Sequence, residues 1–329
     1  MSDGSKIEWT EATWNPVTGC TKVSQGCKHC YAERDWPRLA APRAKPNIYT
    51  GREFTDVKCH PEKLDIPLRW TKPRRIFVNS MSDLFHEDVP FSFVDDVFTR
   101  IAFARQHIYQ ILTKRPERML KYFETKRLIN SVIGEWPWKH VWLGVSCEDQ
   151  ATADERIPLL LQTPAAVRWI SAEPLLGPIE FDWYFKICKH WKSVDSLRQV
   201  PWHPPYPKHW YEKQSLVAAG WKLPIHWLVV GGESGPQARP MHPDWVRAIR
   251  DQCQAAGVPF FFKQWGEWGP HPHPPKHGKY TGAGIFLRPD GEWSEQGDWW
   301  CGTAYAMDKI GKKAAGRTLD GRMWDEYPA

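Results

Sequence analysis

"GCTKVSQGCKHCYAE", residues 19–33, places Cys20, Cys27 and Cys30 close together, and the next cysteine along the chain is Cys59. A closed structural zinc site takes four protein ligands, and a conventional iron–sulfur cluster takes four thiolates. Three clustered thiols therefore point to a metal centre with one position left open. The chain carries eight cysteines in all. Its polar start, "MSDGSKIEWTEATW", lacks the apolar core of a signal peptide, and no run of roughly 18 apolar residues occurs. The expectation is a cytoplasmic protein without a membrane span, in which a cysteine trio binds metal instead of forming disulfides.

Downstream of this loop, short apolar runs recur: "RIFVNS" (75–80), "IYQILTK" (108–114), "VWLGVS" (141–146), "VRWISAE" (167–173), "HWLVVGGES" (226–234) and "PFFFKQW" (259–265). Near-continuous apolarity marks strands buried on both faces of a parallel sheet. Helical stretches lie between them. "PFSFVDDVFTRIAFARQ" spaces Phe93, Val97, Ile101 and Ala104 by steps of four and three, and "HPDWVRAIRDQCQAAG" lines Trp245, Ile249 and Cys253 on one stripe. Such alternation predicts an α/β fold built as a complete or partial barrel. One main domain is expected over 1–265, with a small cap over 266–329 that includes a hairpin at "LRPDGEW".

Polar residues stand where the strands stop, which is where parallel α/β folds place their sites. They are Asn79, Ser80 and Asp83; Lys114 and Arg115; Ser146, Cys147 and Glu148; Ser171 and Glu173; Gly231, Gly232 and Glu233; and Lys263. Lys114, Arg115 and Lys263 are cations suited to clamping a carboxylate or phosphate. Glycines such as Gly231 and Gly232 let backbone approach a ligand closely. Residues 183–222 form a Trp- and Lys-rich insertion holding seven Lys/Arg against two acids, a mixture that tracks phosphates and stacks bases. An ordered insertion packed on the barrel is the competing reading. The formal charge of +6 fits a polyanionic partner, and 42% hydrophobic with 25% charged residues is an ordinary globular composition that does not indicate disorder.

Three cysteines ending in "CKHCYAE", ahead of a chain of βα units, resemble the radical S-adenosylmethionine (SAM) superfamily. "TWNPVTGCTKVSQGCKHCYAE", "VGGESGPQARPMHPDWVRAIRDQC" and "FFFKQWGEW" together resemble a phage-associated three-cysteine branch of it. The spacing here, C-x6-C-x2-C, departs from the superfamily's commonest C-x3-C-x2-C by three residues. The resemblance implies a partial (β/α)6-type radical SAM barrel whose Cys20, Cys27 and Cys30 hold three irons of a [4Fe-4S] cluster. It implies that SAM chelates the fourth iron and that reductive cleavage yields a 5′-deoxyadenosyl radical. An external reductant such as flavodoxin or ferredoxin is implied as well.

By the same resemblance, Asn79, Ser80 and Asp83 stand where the superfamily meets the methionine amino group. Ser146, Glu148, Ser171 and Glu173 stand on strands that face ribose and methionine, while the role of Gly231, Gly232 and Glu233 as cofactor contacts is left open. Cys147 is a candidate hydrogen-atom donor to a product radical, with Lys263 a second catalytic candidate. The expected substrate is a nucleic acid base or nucleotide, such as a hypermodified pyrimidine in phage DNA or a lesion. Two alternatives stay open: a radical SAM enzyme acting on a small metabolite or peptide, and a non-catalytic zinc-containing nucleic-acid-binding module whose zinc is completed by His29, Cys59 or His60. Cys253 reads as core, and Cys188 and Cys301 carry no assignment.

Overall fold

The computed structural model of the protein describes residues 4–125, 136–181, 225–271, 284–294 and 304–329. The insertion at 183–222, with Cys188, and Cys301 lie outside the described residues. In chain order the elements are β1 (Ala12–Trp14), β2 (Val17–Thr18), α1 (Tyr31–Ala40), β3 (Lys58–Cys59), β4 (Arg75–Val78), α2 (Phe91–Phe103) and β5 (Ile108–Thr113). They continue with α3 (Pro116–Thr125), β6 (Val141–Ser146), α4 (Gln150–Gln162), β7 (Val167–Ala172), β8 (Trp227–Gly231), α5 (Pro243–Ala256) and β9 (Phe260–Gln264). A second sheet follows, made of β10 (Trp268–Pro270), β11 (Gly284–Leu287), β12 (Trp293–Ser294) and β13 (Tyr305–Lys309).

The main sheet runs β1-β4-β5-β6-β7-β8-β9, and every neighbouring pair is parallel. All six apolar runs are strands of it, so the α/β partial barrel expected from sequence is the observed fold. The seventh strand, β1, has only three residues, too few for hydrophobic periodicity to register. Helix ends follow local chemistry. Asp149 caps α4 in a reciprocal box with Thr152, and α5 has Pro243 in its first turn and stops at Gly257, whose φ is +69°. β11 and β12 pair antiparallel around the Asp290–Gly291 turn, the hairpin read from sequence.

Strand alternation sorts side chains into two layers. Ile76, Val78, Ile111, Leu143, Val145, Ile170, Leu228 and Phe262 meet Val97, Ile101, Ile157 and Ile249 of the helices in one large core. Phe77, Trp142, Trp169, Trp227 and Phe261 face the other way and form a second core with Trp9. Trp142 on β6 lies 5.6 Å from Trp227 on β8, although β7 separates those strands. Trp9 reaches both Phe77 on β4 (4.7 Å) and Trp227 (6.2 Å). Contacts across non-adjacent strands require a curled sheet, so this aromatic layer fills the interior of an open barrel. Its far edge is covered, because the C-terminal segment hydrogen-bonds β9 from Phe262 N to Trp324 O at 2.9 Å.

The aromatic layer sets a steric requirement on β6. A Cβ at Gly144 would sit 2.6 Å from the Trp169 indole. Gly144→Ala is therefore expected to destabilise the fold by about 1–3 kcal/mol through overpacking. Urea denaturation should show a lower midpoint with an unchanged slope, and an unshifted midpoint would refute the packing described.

Candidate active site

The parity that points Trp142, Trp169, Trp227 and Phe261 inward continues along these strands to the C-terminal mouth. Ser146 and Glu148, Ser171 and Glu173, Gly231, and Lys263 share it. Ser146 and Ser171 are directly paired between β6 and β7. The cysteine loop, residues 19–30, lies across this mouth and is fastened to it at three carboxylates.

The first fastening is Asp83, in the loop after β4. It accepts hydrogen bonds from Thr113 Oγ1 (2.8 Å), Lys114 N (3.1 Å) and Arg115 Nη1 (3.3 Å). Arg115 is nearly buried and also pairs with Glu87 at 2.9 Å. Its remaining donors grip the cysteine loop, reaching Thr21 Oγ1 at 2.8 Å, Thr21 O at 3.2 Å and Cys20 Sγ at 3.7 Å. The sequence suggests that Arg115 clamps a ligand anion; in the structure it positions Cys20.

The second fastening is Glu148, whose side chain has no exposed surface. Lys114 Nζ pairs with Oε1, Arg156 Nη1 stands 3.0 Å from Oε2, and Ser24 Oγ of the cysteine loop donates to Oε1 at 3.1 Å. Burial pushes its pKa up, but the Lys114 and Arg156 charges outweigh burial and hold it below the ordinary carboxylate value. The loop presses flush against this carboxylate, since a Cβ on Gly26 would lie 2.4 Å from Glu148 Cγ.

The third fastening is Glu233, after β8. Arg239 donates to its two oxygens at 2.7 and 2.9 Å, and His29 Nδ1, between Cys27 and Cys30, lies 3.1 Å from Oε2. Arg239 Nη2 also donates to Gln25 O at 2.9 Å. Burial raises the Glu233 pKa, and the Arg239 and His29 hydrogen bonds overcome it, leaving it depressed. A further tie runs from the Tyr31 hydroxyl to Ser80 O.

Below the loop, Glu173 pairs with Lys263 at 2.8 Å and accepts from Ser171 Oγ (3.0 Å) and Trp9 Nε1 (3.3 Å). Lys263 and Glu173 thus stand together in the interior. Gly231 leaves room for that carboxylate, as its Cβ would be 2.7 Å from Glu173 Oε1. Gly232 is a backbone crossing, with a Cβ there 1.8 Å from Trp265 O. Its smallness is used within the protein, which removes the reason for reading it as a ligand contact. Asn79, at φ +62°, accepts from Val17 N (3.2 Å) through Oδ1, while its buried Nδ2 has no partner among the described residues. Ser80 Oγ donates to Asn15 Oδ1 at 3.2 Å.

Cys147 is not brought to the mouth. One residue out of phase with Ser146 and Glu148, it lies in the helix-side core with Val145 and Ala153 and is fully buried. Burial also pushes its pKa up. Cys253 is core, as its stripe on α5 predicted.

Cys20 and Cys30 pack in one small cluster with Trp36, Phe54 and Met81, and Cys27 ends a short 3-10 turn with Sγ 3.8 Å from Ser24 Oγ. All three are free thiols and half-buried. Burial and the neighbouring Asp83 push Cys20 up to about 12, so a thiolate there calls for added positive charge such as a metal supplies. Among the described residues no three His, Cys, Asp or Glu side chains converge as one metal ion requires. An iron–sulfur cube attaches each thiolate to a different iron and needs no such convergence. A zinc site completed by His29, Cys59 or His60 finds no such convergence among the described residues either, and His60 has both ring nitrogens engaged, by Thr18 Oγ1 (2.7 Å) and Glu62 (3.2 Å). The donor set fits a cluster.

Sequence reasoning missed Arg156, Arg239, Ser24, Gly26 and Trp9. Arg156, eight residues after Glu148 on the buried stripe of α4, was the legible one, since a buried arginine demands an anion. Glu148→Gln removes that anion and leaves two cations uncompensated, at an expected cost of about 3 kcal/mol at pH 7. A depressed carboxyl pKa contributes stability above the unfolded value near 4.5 and loses it as pH falls through the folded value. Wild-type and variant stabilities should converge in acid by chemical denaturation; a constant gap would refute the pairing.

Comparison with known proteins gives a family match and a set of remote structural likenesses. The solved structure of a cysteine-to-serine mutant of spore photoproduct lyase is 12% identical over 92% of this chain and 70% of that one, with a TM-score of 0.38. Spore photoproduct lyase complexed with dinucleoside spore photoproduct is 13% identical over 76% of this chain and 62% of that one, with a TM-score of 0.39. No curated protein matches the chain. The profile of the family described as "Protein of unknown function (DUF5131)" matches residues 4–328, and the chain belongs to that family.

Proposed function

We propose that the protein is a radical SAM enzyme acting on a nucleic acid base or nucleotide, with a [4Fe-4S] cluster on Cys20, Cys27 and Cys30. The observation that carries this reading is the seating of a three-thiol loop across the C-terminal mouth of an open parallel barrel, at the end where such folds do chemistry. When bound, cluster and SAM supply a 5′-deoxyadenosyl radical, and a low-potential donor such as flavodoxin or ferredoxin supplies the electron. The chain's own residues position and enclose. Arg115 orients Cys20 through Thr21, Glu148 seats Ser24 and Gly26, and Glu233 fixes His29 between Cys27 and Cys30. The aromatic floor beneath Glu173 closes the barrel to water from below. Nδ2 of Asn79, at the end of β4 and without a partner among the described residues, is a donor for the carboxylate of the SAM methionine group. Ser146, Ser171, Glu173 and Lys263 are the inward polar groups for the rest of SAM and substrate.

Protein reconstituted with iron and sulfide without oxygen, then reduced with SAM, is expected to form methionine and 5′-deoxyadenosine. Cys27→Ala should lose the cluster absorbance and drop product to background. Undiminished 5′-deoxyadenosine from that variant, or a zinc-only colourless wild type, would overturn the reading.

A further inference from the structure

Beside the cysteine loop lies a cleft of about 300 Å³, in whose lining Gln25 and Arg239 also fasten that loop. Its walls come from four parts of the chain: Gln25 of the loop, Asp149 and Leu176 beyond β6 and β7, Arg239 and Trp245 beyond β8, and Gly291 and Trp293 of the β11–β12 hairpin. This volume is at the lower bound of small-molecule sites, ~300–1,000 Å³, and matches one ring system better than an extended chain.

Three features define the chemistry. Trp293 is 52% exposed at the lip, an unusual position for a large apolar ring and a ready stacking surface. Arg239 is locked by Glu233 and Gln25 through Nε and Nη2, so its Nη1 is a fixed donor without a hydrogen-bond partner among the described residues. Asp149 uses Oδ1 to cap α4, accepting from Thr152 N (2.9 Å) and Oγ1 (2.8 Å), and its Oδ2 has no partner among the described residues. The cleft thus offers a ring face, a donor and an anionic acceptor. Asp149 disfavours a bare phosphate, and an aliphatic ligand would leave both polar groups unmatched. A heterocycle carrying acceptors and N–H donors on its edge satisfies all three.

We propose that this cleft is a nucleobase subsite, with the base stacked on Trp293 and its edge read by Arg239 and Asp149. It deepens the function proposed above, on which its link to catalysis rests; base binding itself can be measured without SAM or turnover.

The test is calorimetric titration of the full chain with thymidine and adenosine, with ribose 5-phosphate as control. The expected result is nucleoside binding in the wild type, near-normal binding in Trp293→Phe, and a loss of about tenfold or more in Trp293→Ala, as for base–aromatic stacking elsewhere. Unchanged affinity in Trp293→Ala, absence of nucleoside binding, or ribose 5-phosphate binding as tightly as nucleosides would overturn the assignment. Iron content and 5′-deoxyadenosine formation, measured separately on the same wild-type protein, show whether the radical SAM reading stands or falls with it.

Discussion

A carboxylate with no exposed surface stays ionised only where cations are held against it. Glu148 meets that condition through Lys114 at the end of β5 and Arg156 on α4. The resulting buried charge cluster joins two adjacent strands and a helix at the barrel mouth. Onto it the cysteine loop is laid, with Ser24 donating a hydrogen bond and Gly26 in van der Waals reach. The loop's place over the barrel follows from that electrostatic requirement.

Asp83 and Glu233 repeat the arrangement on either side. Each is a nearly buried acid answered by an arginine, and each arginine also holds the loop, Arg115 at Thr21 and Arg239 at Gln25. Six residues separate Cys20 from Cys27, and that length is held by side chains instead of left to its own backbone. Fixing these residues before a ligand arrives removes an ordering cost that binding would otherwise carry. Beneath, the tryptophan layer supplies a rigid, dry base, and Trp9 joins it to the polar tier through Glu173.

Much of this was legible in the residues. The six long strands could be read because each is apolar on both faces, and the inward polar groups because they end those strands. β1 was not, being three residues long, and neither was the sidedness of Cys147: a strand end tells where a residue stands, but only the phase of its neighbours tells which way it points. Arg115 and Gly232 were visible as special residues, yet their use is internal to the protein, and that depends on neighbours distant in sequence. Arg239, six residues past Glu233 in an irregular loop, gave no periodic signal.

The proposed cluster, held by three thiols at the mouth, leaves its remaining corner free for an exchangeable ligand. Mössbauer spectroscopy of the iron-57 reconstituted protein, with and without SAM, tests it directly. The expected result is a [4Fe-4S] spectrum in which one iron is distinct and changes its parameters when SAM is added, while the other three do not. Four irons equally indifferent to SAM, or iron held only as isolated ions, would contradict it.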